Sequence, residues 1–339
     1  MPEPIPLPAP HRHLWWHRFN WLALDAVLVA VAWLPVFGKM TGARLTMVNT
    51  VVLGGVVWLV YMLDRLLDSR VTQNRQQRHH FAGRHWKWLL PLLLVVGNGI
   101  VYLALYRMRW ITVQAGLWIG AAVLMYFIVV AASRWKAVSQ PLLLLMSSLM
   151  ILGLVQGEQQ GTAGLQLWRA VAVGTIATVL YFGLRFHYDP PPWTLVKKGM
   201  GGYLFALGVA VAPFSHTQDW LGLLRSAPVM LFAGACALNS LGIRLWEAGT
   251  PEDPESALLR RIYPWLLAAV GFGALAQAFG ADPWTRPMLL GVAVCVAGFG
   301  AMHWGHRRWP SAMCGVTADA WMVLVALGVL WAGVPGGTG

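Results

Sequence analysis

The sequence predicts an all-α polytopic membrane protein, a transmembrane helix bundle of about 9 to 11 spans. Of its 339 residues, 58% are hydrophobic and only 11% are charged, whereas charged residues make up about a quarter of an ordinary soluble domain. Long apolar stretches recur along the chain, and many of them end at one of its 20 tryptophans. Tryptophan is enriched at membrane–water interfaces, so these observations place nearly the whole chain in lipid.

The chain is expected to form a short tail followed by one membrane domain. Residues 1–18 lack the basic start and apolar run of a signal peptide, and their prolines favour a disordered tail. Residues 19–339 are expected to form a single transmembrane helical domain. Eleven stretches are long enough, or nearly so, to cross a hydrocarbon core about 30 Å thick: 20–38, 46–67, 88–106, 110–132, 140–156, 168–185, 199–214, 222–246, 262–280, 286–304 and 317–334. The stretches 140–156 and 199–214 are short, and each is a candidate half-helix or interfacial helix.

Basic residues divide unequally between the two sides of such a bundle. With a cytoplasmic N-terminus, 18 of the 25 lysines and arginines fall on the cytoplasmic side and seven on the other, which is the asymmetry of the positive-inside rule. We therefore expect a protein integral to the cell (inner) membrane, with its N-terminus in the cytoplasm. The net charge of +12 is attributed to contacts with anionic membrane lipids, and no nucleic-acid partner is expected. The basic loop 75–86 either closes over the mouth of the bundle or forms a headgroup-binding patch, and we favour the patch.

Two carboxylates end the second apolar stretch. Asp64 and Asp68 stand four residues apart in "LDRLLD", so a helix presents both on one face. Such a pair suits a hard divalent cation such as Mg²⁺, which prefers oxygen ligands. Alternatively, Arg65 and Arg70 neutralise the pair at a solvated helix end, and the motif alone leaves both interpretations open.

A second polar group follows at the end of the stretch 222–246. Asn239 and Glu247 lie about two helical turns apart, roughly 80° around the axis, and can share a broad face. Asp319, in "TADAWMVLVAL", and Asp25 are acids within apolar stretches, where an ionisable group is a functional candidate by default. We favour a functional role for Asp319 and a capping or helix-pairing role for Asp25.

Other classes of membrane protein are less well supported by the residues. The ten histidines fall in the tail, the loops or the extreme ends of the apolar stretches, where they do not serve as axial haem ligands at membrane depth. We find no fixed-period repeat and no pair of broken helices in corresponding halves, the usual sign of a secondary transporter.

The order of these motifs resembles the UbiA superfamily of intramembrane prenyltransferases. The first motif of that family reads N-D-x-x-D-R-x-x-D. Asp64, Arg65 and Asp68 match its last three fixed positions, whereas Val60 and Tyr61 stand where the family has Asn and Asp.

Two later segments extend the resemblance. Asn239 and Glu247 are the nearest equivalents of the family's second motif, which normally carries two aspartates. Asp319 corresponds to an aspartate near the start of the family's last helix. Members typically have nine spans, fewer than the eleven stretches found here.

The resemblance implies Mg²⁺-dependent transfer of a prenyl group from a prenyl diphosphate to a lipophilic acceptor at the cytoplasmic membrane face. The catalytic residues that it implies are Asp64, Asp68, Asn239 and Glu247, with Asp64, Asp68 and Glu247 as metal ligands. The substrate-binding residues that it implies are Arg65, Arg70, Lys197, Lys198 and Asp319. Because Tyr61 and Asn239 replace acidic residues, a second hypothesis stays open: a non-catalytic membrane protein that binds an isoprenoid or another lipid.

Overall fold

The computed structural model describes residues 19–69, 77–132, 193–216, 222–247, 254–306 and 311–332, and the regular elements in these ranges are helices. Nine of these helices are long and apolar enough to cross a membrane, which confirms the predicted polytopic helical bundle. The helices are α1 (Leu24–Thr41), α2 (Met47–Ser69), α3 (Gln77–Arg84), α4 (Trp86–Arg107), α5 (Trp110–Ala132), α6 (Trp193–His216), α7 (Gly222–Arg225), α8 (Ala227–Glu247), α9 (Pro254–Gly280), α10 (Thr285–Gly305) and α11 (Ser311–Ala332).

The described spans follow the predicted stretches, but four of them differ in extent. Helix α9 begins at Pro254 rather than at 262, and α11 begins at Ser311 rather than at 317. The stretch 199–214, expected to be short, is the 24-residue helix α6. It begins directly after Pro190–Pro192, a run that cannot lie in a helix interior. The stretch 222–246 is divided at Ser226 into α7 and α8, and Pro228 stands in the first turn of α8, where proline is tolerated. The stretches 140–156 and 168–185 lie outside the described residues.

The basic segment 75–86 is not wholly a loop. Residues 77–84 form α3, which packs against α2 and α4. Ala82 is fully buried, and the ring of Phe81 stacks on Trp21 at 5.6 Å. The expectation of a loop at these positions was wrong. The segment is mostly basic and polar, and its composition gave no sign that Phe81 and Ala82 pack onto the bundle.

Helix α8 lies at the centre of the described bundle and packs against α6, α9, α10 and α11. Around its first half, the ring of Phe232 meets Trp33 at 4.5 Å and Phe37 at 5.4 Å. Helix α6 approaches α8 at Gly202, where an added Cβ would lie 2.6 Å from the backbone nitrogen of Ala237. Small residues at such crossings allow membrane helices to come close together.

The polar motifs gather at one end of the described bundle. Helices α5 and α6 run in opposite directions and define its two ends. Their Thr112 and Ser215 hydroxyls are 2.6 Å apart at one end, and at the other end the hydroxyl of Tyr126 donates to the carbonyl of Lys197 at 3.5 Å. We call the end that holds Tyr126 and Lys197 the acidic end, because Asp25, Asp64 and Asp319 lie there, near the start of α1, the end of α2 and the start of α11.

Candidate functional site

Two of the residues predicted from separate motifs are in contact. Nδ2 of Asn239, on α8, donates a hydrogen bond of 2.6 Å to Oδ1 of Asp319, on α11. Only the amide NH₂ group can donate to an ionised carboxylate, so this bond determines which way the Asn239 amide points. The structure therefore joins the second predicted motif to the last span.

The other end of this amide has no partner. Oδ1 of Asn239 is buried and accepts no hydrogen bond within the part of the chain that the structure describes, and the whole residue is only 8% exposed. A buried acceptor left unsatisfied costs about 1–3 kcal/mol. The atom is thus a buried oxygen acceptor that a cation or a donor from a bound molecule would satisfy.

Tyr61 links this pair to the first motif. It lies on α2, partly buried, within electrostatic range of Asp319, Asp25 and Asp64. Asp64 is also partly buried and stands three residues further along the same helix face. We call the group formed by Asp25, Tyr61, Asp64, Asn239 and Asp319 the acidic cluster.

Arg65 is directed into the protein beside this cluster. Its side chain is 5% exposed, and Nη1 donates to the carbonyl oxygen of Asn20. The side chain of Asn20 in turn donates to Asp25. Arg65 therefore joins the end of α2 to the segment that precedes α1, and its contact with a substrate stays a prediction.

The backbone of that preceding segment is strained. Ala23 has φ of 56°, in the left-handed region, and its side chain is fully buried. Such a conformation costs a non-glycine residue about 1 kcal/mol or more and persists only where the surroundings enforce it. Here the carbonyl of Asn20 accepts from Arg65, and the side chain of Asn20 donates to Asp25. These two hydrogen bonds hold the chain on both sides of the strained residue.

For most of the remaining predicted site residues, the structure describes only part of the residue or none of it. Lys197 and Lys198 lie in the second turn of α6 and are partly buried. Asp68 lies in the last turn of α2 and Glu247 is the last residue of α8, but their side chains are outside the described part of the structure. Arg70 lies outside the described residues altogether.

The sequence motifs did not predict that Tyr61 and Asp25 belong to the site. It treated Tyr61 only as a departure from the family motif and Asp25 as a cap. A signal was present for both: Tyr61 precedes Asp64 by three residues and so shares its helix face, and Asp25 is an acid within an apolar stretch.

The polar atoms of the cluster suit a hard cation. Among the described side chains, no three His, Cys, Asp or Glu groups lie close enough together to hold a metal ion by themselves. The cluster nevertheless offers oxygen atoms, namely the carboxylate of Asp64, which lies within electrostatic range of Tyr61, and the buried, unpartnered Oδ1 of Asn239. Oxygen is the donor that Mg²⁺ prefers, so these donors suit Mg²⁺ in kind, and the backbone positions of Asp68 and Glu247 lie at the same end of the bundle.

Comparison with known proteins adds no further constraint. The chain matches no protein-family model, no curated protein and no solved structure.

Proposed function

We propose that this chain is a UbiA-like intramembrane prenyltransferase. It moves a prenyl group from a prenyl diphosphate to a lipophilic acceptor, in a Mg²⁺-dependent reaction at the cytoplasmic face of the cell membrane. The observation that carries the proposal is the buried, unpartnered Oδ1 of Asn239 within a group of carboxylates at one end of an apolar helix bundle. An oxygen-rich site at the boundary between water and an apolar interior suits a substrate with an anionic head and an isoprenoid tail.

The residues of the cluster take distinct roles in this proposal. Asp64, Asp68 and Glu247 hold the metal, and Asn239 turns its free oxygen toward the same site because Asp319 holds its amide. The chemistry that Mg²⁺ supplies when bound is neutralisation of charge on the diphosphate leaving group.

Basic residues at the same end are assigned to the diphosphate. Lys197 and Lys198 lie on α6, which packs against α8, the helix of Asn239. With Arg70, they supply positive charge where negative charge develops on the departing diphosphate. Arg65 acts beside them by bracing the start of α1 through Asn20.

The proposed orientation places the acidic end in the cytoplasm. The excess of basic residues on that side supports it. The described apolar spans then surround the isoprenoid tail and exclude water from the carbon atom at which the carbon–oxygen bond breaks.

The test is binding of a fluorescent geranylgeranyl diphosphate analogue to the full chain in detergent, with Mg²⁺ or with EDTA. We expect saturable binding that requires Mg²⁺ and is lost in the Asp64→Asn/Asp68→Asn double variant. Asp282→Asn, an exposed acid at the opposite end between α9 and α10, is the matched control and should bind as the parent does. Binding that ignores both the metal and the double variant would refute the metal–diphosphate site.

One observation favours a second function, a non-catalytic protein that binds an isoprenoid or another lipid. Tyr61 brings a phenol into the acidic cluster at the position where the family motif has an acid. Affinity for a divalent cation depends in part on the number of charged ligands. Under this alternative, geranylgeraniol, which lacks the diphosphate, binds as tightly as the diphosphate analogue and Mg²⁺ has no effect.

A further inference from the structure

A second polar site lies at the same end of the bundle and shares no residue with the acidic cluster. It is a cavity of about 190 Å³ between the end of α8, the start of α9 and the end of α10. A cavity of about 150 Å³ can already hold benzene, so this one has room for a small polyatomic group. Its lining residues are Leu245, Trp246, Arg260, His303 and His306.

The hydrogen bond that His303 accepts shows which of its nitrogens is left for a ligand. Nε1 of Trp246 donates to Nδ1 of His303 at 3.4 Å, so Nδ1 carries no proton and Nε2 bears the N–H group. The ring also packs against Tyr263 at 5.0 Å, and the Tyr263 hydroxyl is itself held by the carbonyl of Leu238 at 3.1 Å. The imidazole of His303 is thus a fixed donor rather than a mobile side chain.

His306 is held in the complementary way. Its Nδ1 is 2.5 Å from the carbonyl oxygen of His303, and since a carbonyl only accepts, Nδ1 donates. The two imidazole rings stack at 5.7 Å with an angle of 20° between them. In both histidines Nδ1 is therefore occupied by the protein, and Nε2 is the atom left for a ligand.

Arg260 gives the cavity its positive charge. It is partly buried at the start of α9 and lies within electrostatic range of His303. Helices α8 and α10 both end near the cavity and bring partial negative charge from their dipoles. These dipoles alone disfavour an anion, so attraction of an anion to the cavity depends on the Arg260 guanidinium. A guanidinium binds phosphate through two parallel hydrogen bonds.

We propose that this cavity binds a phosphate group, as a phosphate ester or as free phosphate. Arg260 and Nε2–H of His303 donate to its oxygens, and Nε2 of His306 makes a third contact when it is protonated or when the phosphate carries a proton. The five lining residues in the described part of the chain lie within about two turns of the ends of their spans. This is the depth of the phospholipid phosphates, and basic pockets between membrane helices are known to bind lipid headgroups.

The test measures lipid binding to the full chain by native mass spectrometry. Dioleoyl phosphatidic acid is compared with dioleoylglycerol, which has the same chains without the phosphate. We expect phosphatidic acid to bind and dioleoylglycerol not to bind. Arg260→Gln should weaken that binding at least about tenfold more than Arg261→Gln, as loss of a charge-assisted hydrogen bond would do.

Arg261→Gln is the matched control because it removes the same charge from an exposed neighbour that does not line the cavity. Competition by inorganic phosphate would identify the site as one for phosphate itself, and lack of competition would identify it as one for a lipid headgroup. Equal losses in the two arginine variants would mean general surface attraction and would overturn the proposal. If Arg260→Gln lowers the melting temperature strongly, Arg260→Lys and Arg261→Lys replace the two variants; Arg260→Lys keeps the charge but loses the two parallel hydrogen bonds, and it should still weaken binding more than Arg261→Lys.

Discussion

Asn239 and Asp319 are 80 residues apart in the chain, yet the amide of one donates to the carboxylate of the other at 2.6 Å. Because the NH₂ group is engaged in this bond, the amide oxygen is turned away from Asp319 and remains buried without a partner in the described part of the bundle. Asp319 therefore acts on the proposed metal site through Asn239. We therefore expect Asp319 to be a positioning residue, and the substrate contact that the resemblance to the family implied stays a prediction.

This relationship predicts different results for two substitutions of Asp319. Asp319→Asn keeps an oxygen that accepts from Asn239, so Mg²⁺-dependent binding of the fluorescent diphosphate should stay close to that of the parent. Asp319→Ala releases the amide, and binding should weaken by about tenfold or more, as expected for loss of a hydrogen bond to a charged group. If Asp319→Asn loses as much binding as Asp319→Ala, then the carboxylate itself contacts the ligand and the positioning role is wrong.

The close contact between α6 and α8 predicts opposite effects for two glycines of the same helix. In Gly202→Ala the new Cβ meets the backbone of Ala237 and Ala233 at 2.6–2.8 Å, and backbone atoms cannot move aside as a flexible side chain can. We expect a loss of about 1–3 kcal/mol of unfolding free energy, which is typical of overpacking.

Gly208→Ala is the control for that substitution, because nothing lies within 4 Å of the added Cβ. It should leave stability unchanged or raise it by up to about 1 kcal/mol through better helix propensity. Thermal unfolding of both variants in one detergent measures the difference. A Gly202→Ala protein as stable as Gly208→Ala would show that α6 and α8 are not in close contact at this point.

Asp282 predicts a pH dependence at the end of the bundle opposite the acidic cluster. Its Oδ1 accepts from the backbone nitrogens of Trp284 at 2.8 Å and Thr285 at 3.0 Å. Hydrogen bonds from Thr285, from its side chain and then its backbone, lower the pKa of Asp282 from its ordinary value. The ionised form therefore stabilises the start of α10.

This contribution is complete above the pKa of aspartate in the unfolded chain, about 4. It is lost as the pH falls from there through the lower pKa of the folded protein. Asp282→Asn should therefore show a smaller drop in melting temperature between pH 6 and pH 3 than the parent. Asp282→Ala should cost about 1 kcal/mol at pH 7 through loss of the cap. Identical pH profiles for the parent and Asp282→Asn would exclude the contribution.

The proposed orientation predicts which end an impermeant thiol reagent reaches. The three native cysteines are buried, so an introduced cysteine dominates the labelling. Arg84→Cys, at the exposed end of α3, should be labelled only in inside-out vesicles. Pro283→Cys, in the exposed turn between α9 and α10, should be labelled only in intact cells or right-side-out vesicles. The reverse pattern would place the acidic cluster outside the cytoplasm.

The sequence by itself determined the class of protein and the course of the described spans. A bilayer demands about 20 consecutive apolar residues for each helix, and that demand is visible in the sequence. Asp64 and Asp68 could be recognised because a charged pair four residues apart is conspicuous at the end of an apolar stretch. The structure of segments without such a signal was predicted less accurately. The basic composition of residues 77–84 concealed a packed helix, and the length of α6 depended on where the preceding prolines allow a helix to begin.

Only the tertiary structure decided which polar residues meet. It brought Asn239 to Asp319, placed Tyr61 and Asp25 in the same cluster, and arranged Trp246, His303 and His306 around a cavity. Hydropathy does not encode these contacts, because lipid tails solvate one apolar helix face as well as another. The neighbours of each helix and its rotation depend on small-residue crossings such as Gly202 and on hydrogen bonds between distant spans, and both exist only once the helices have packed.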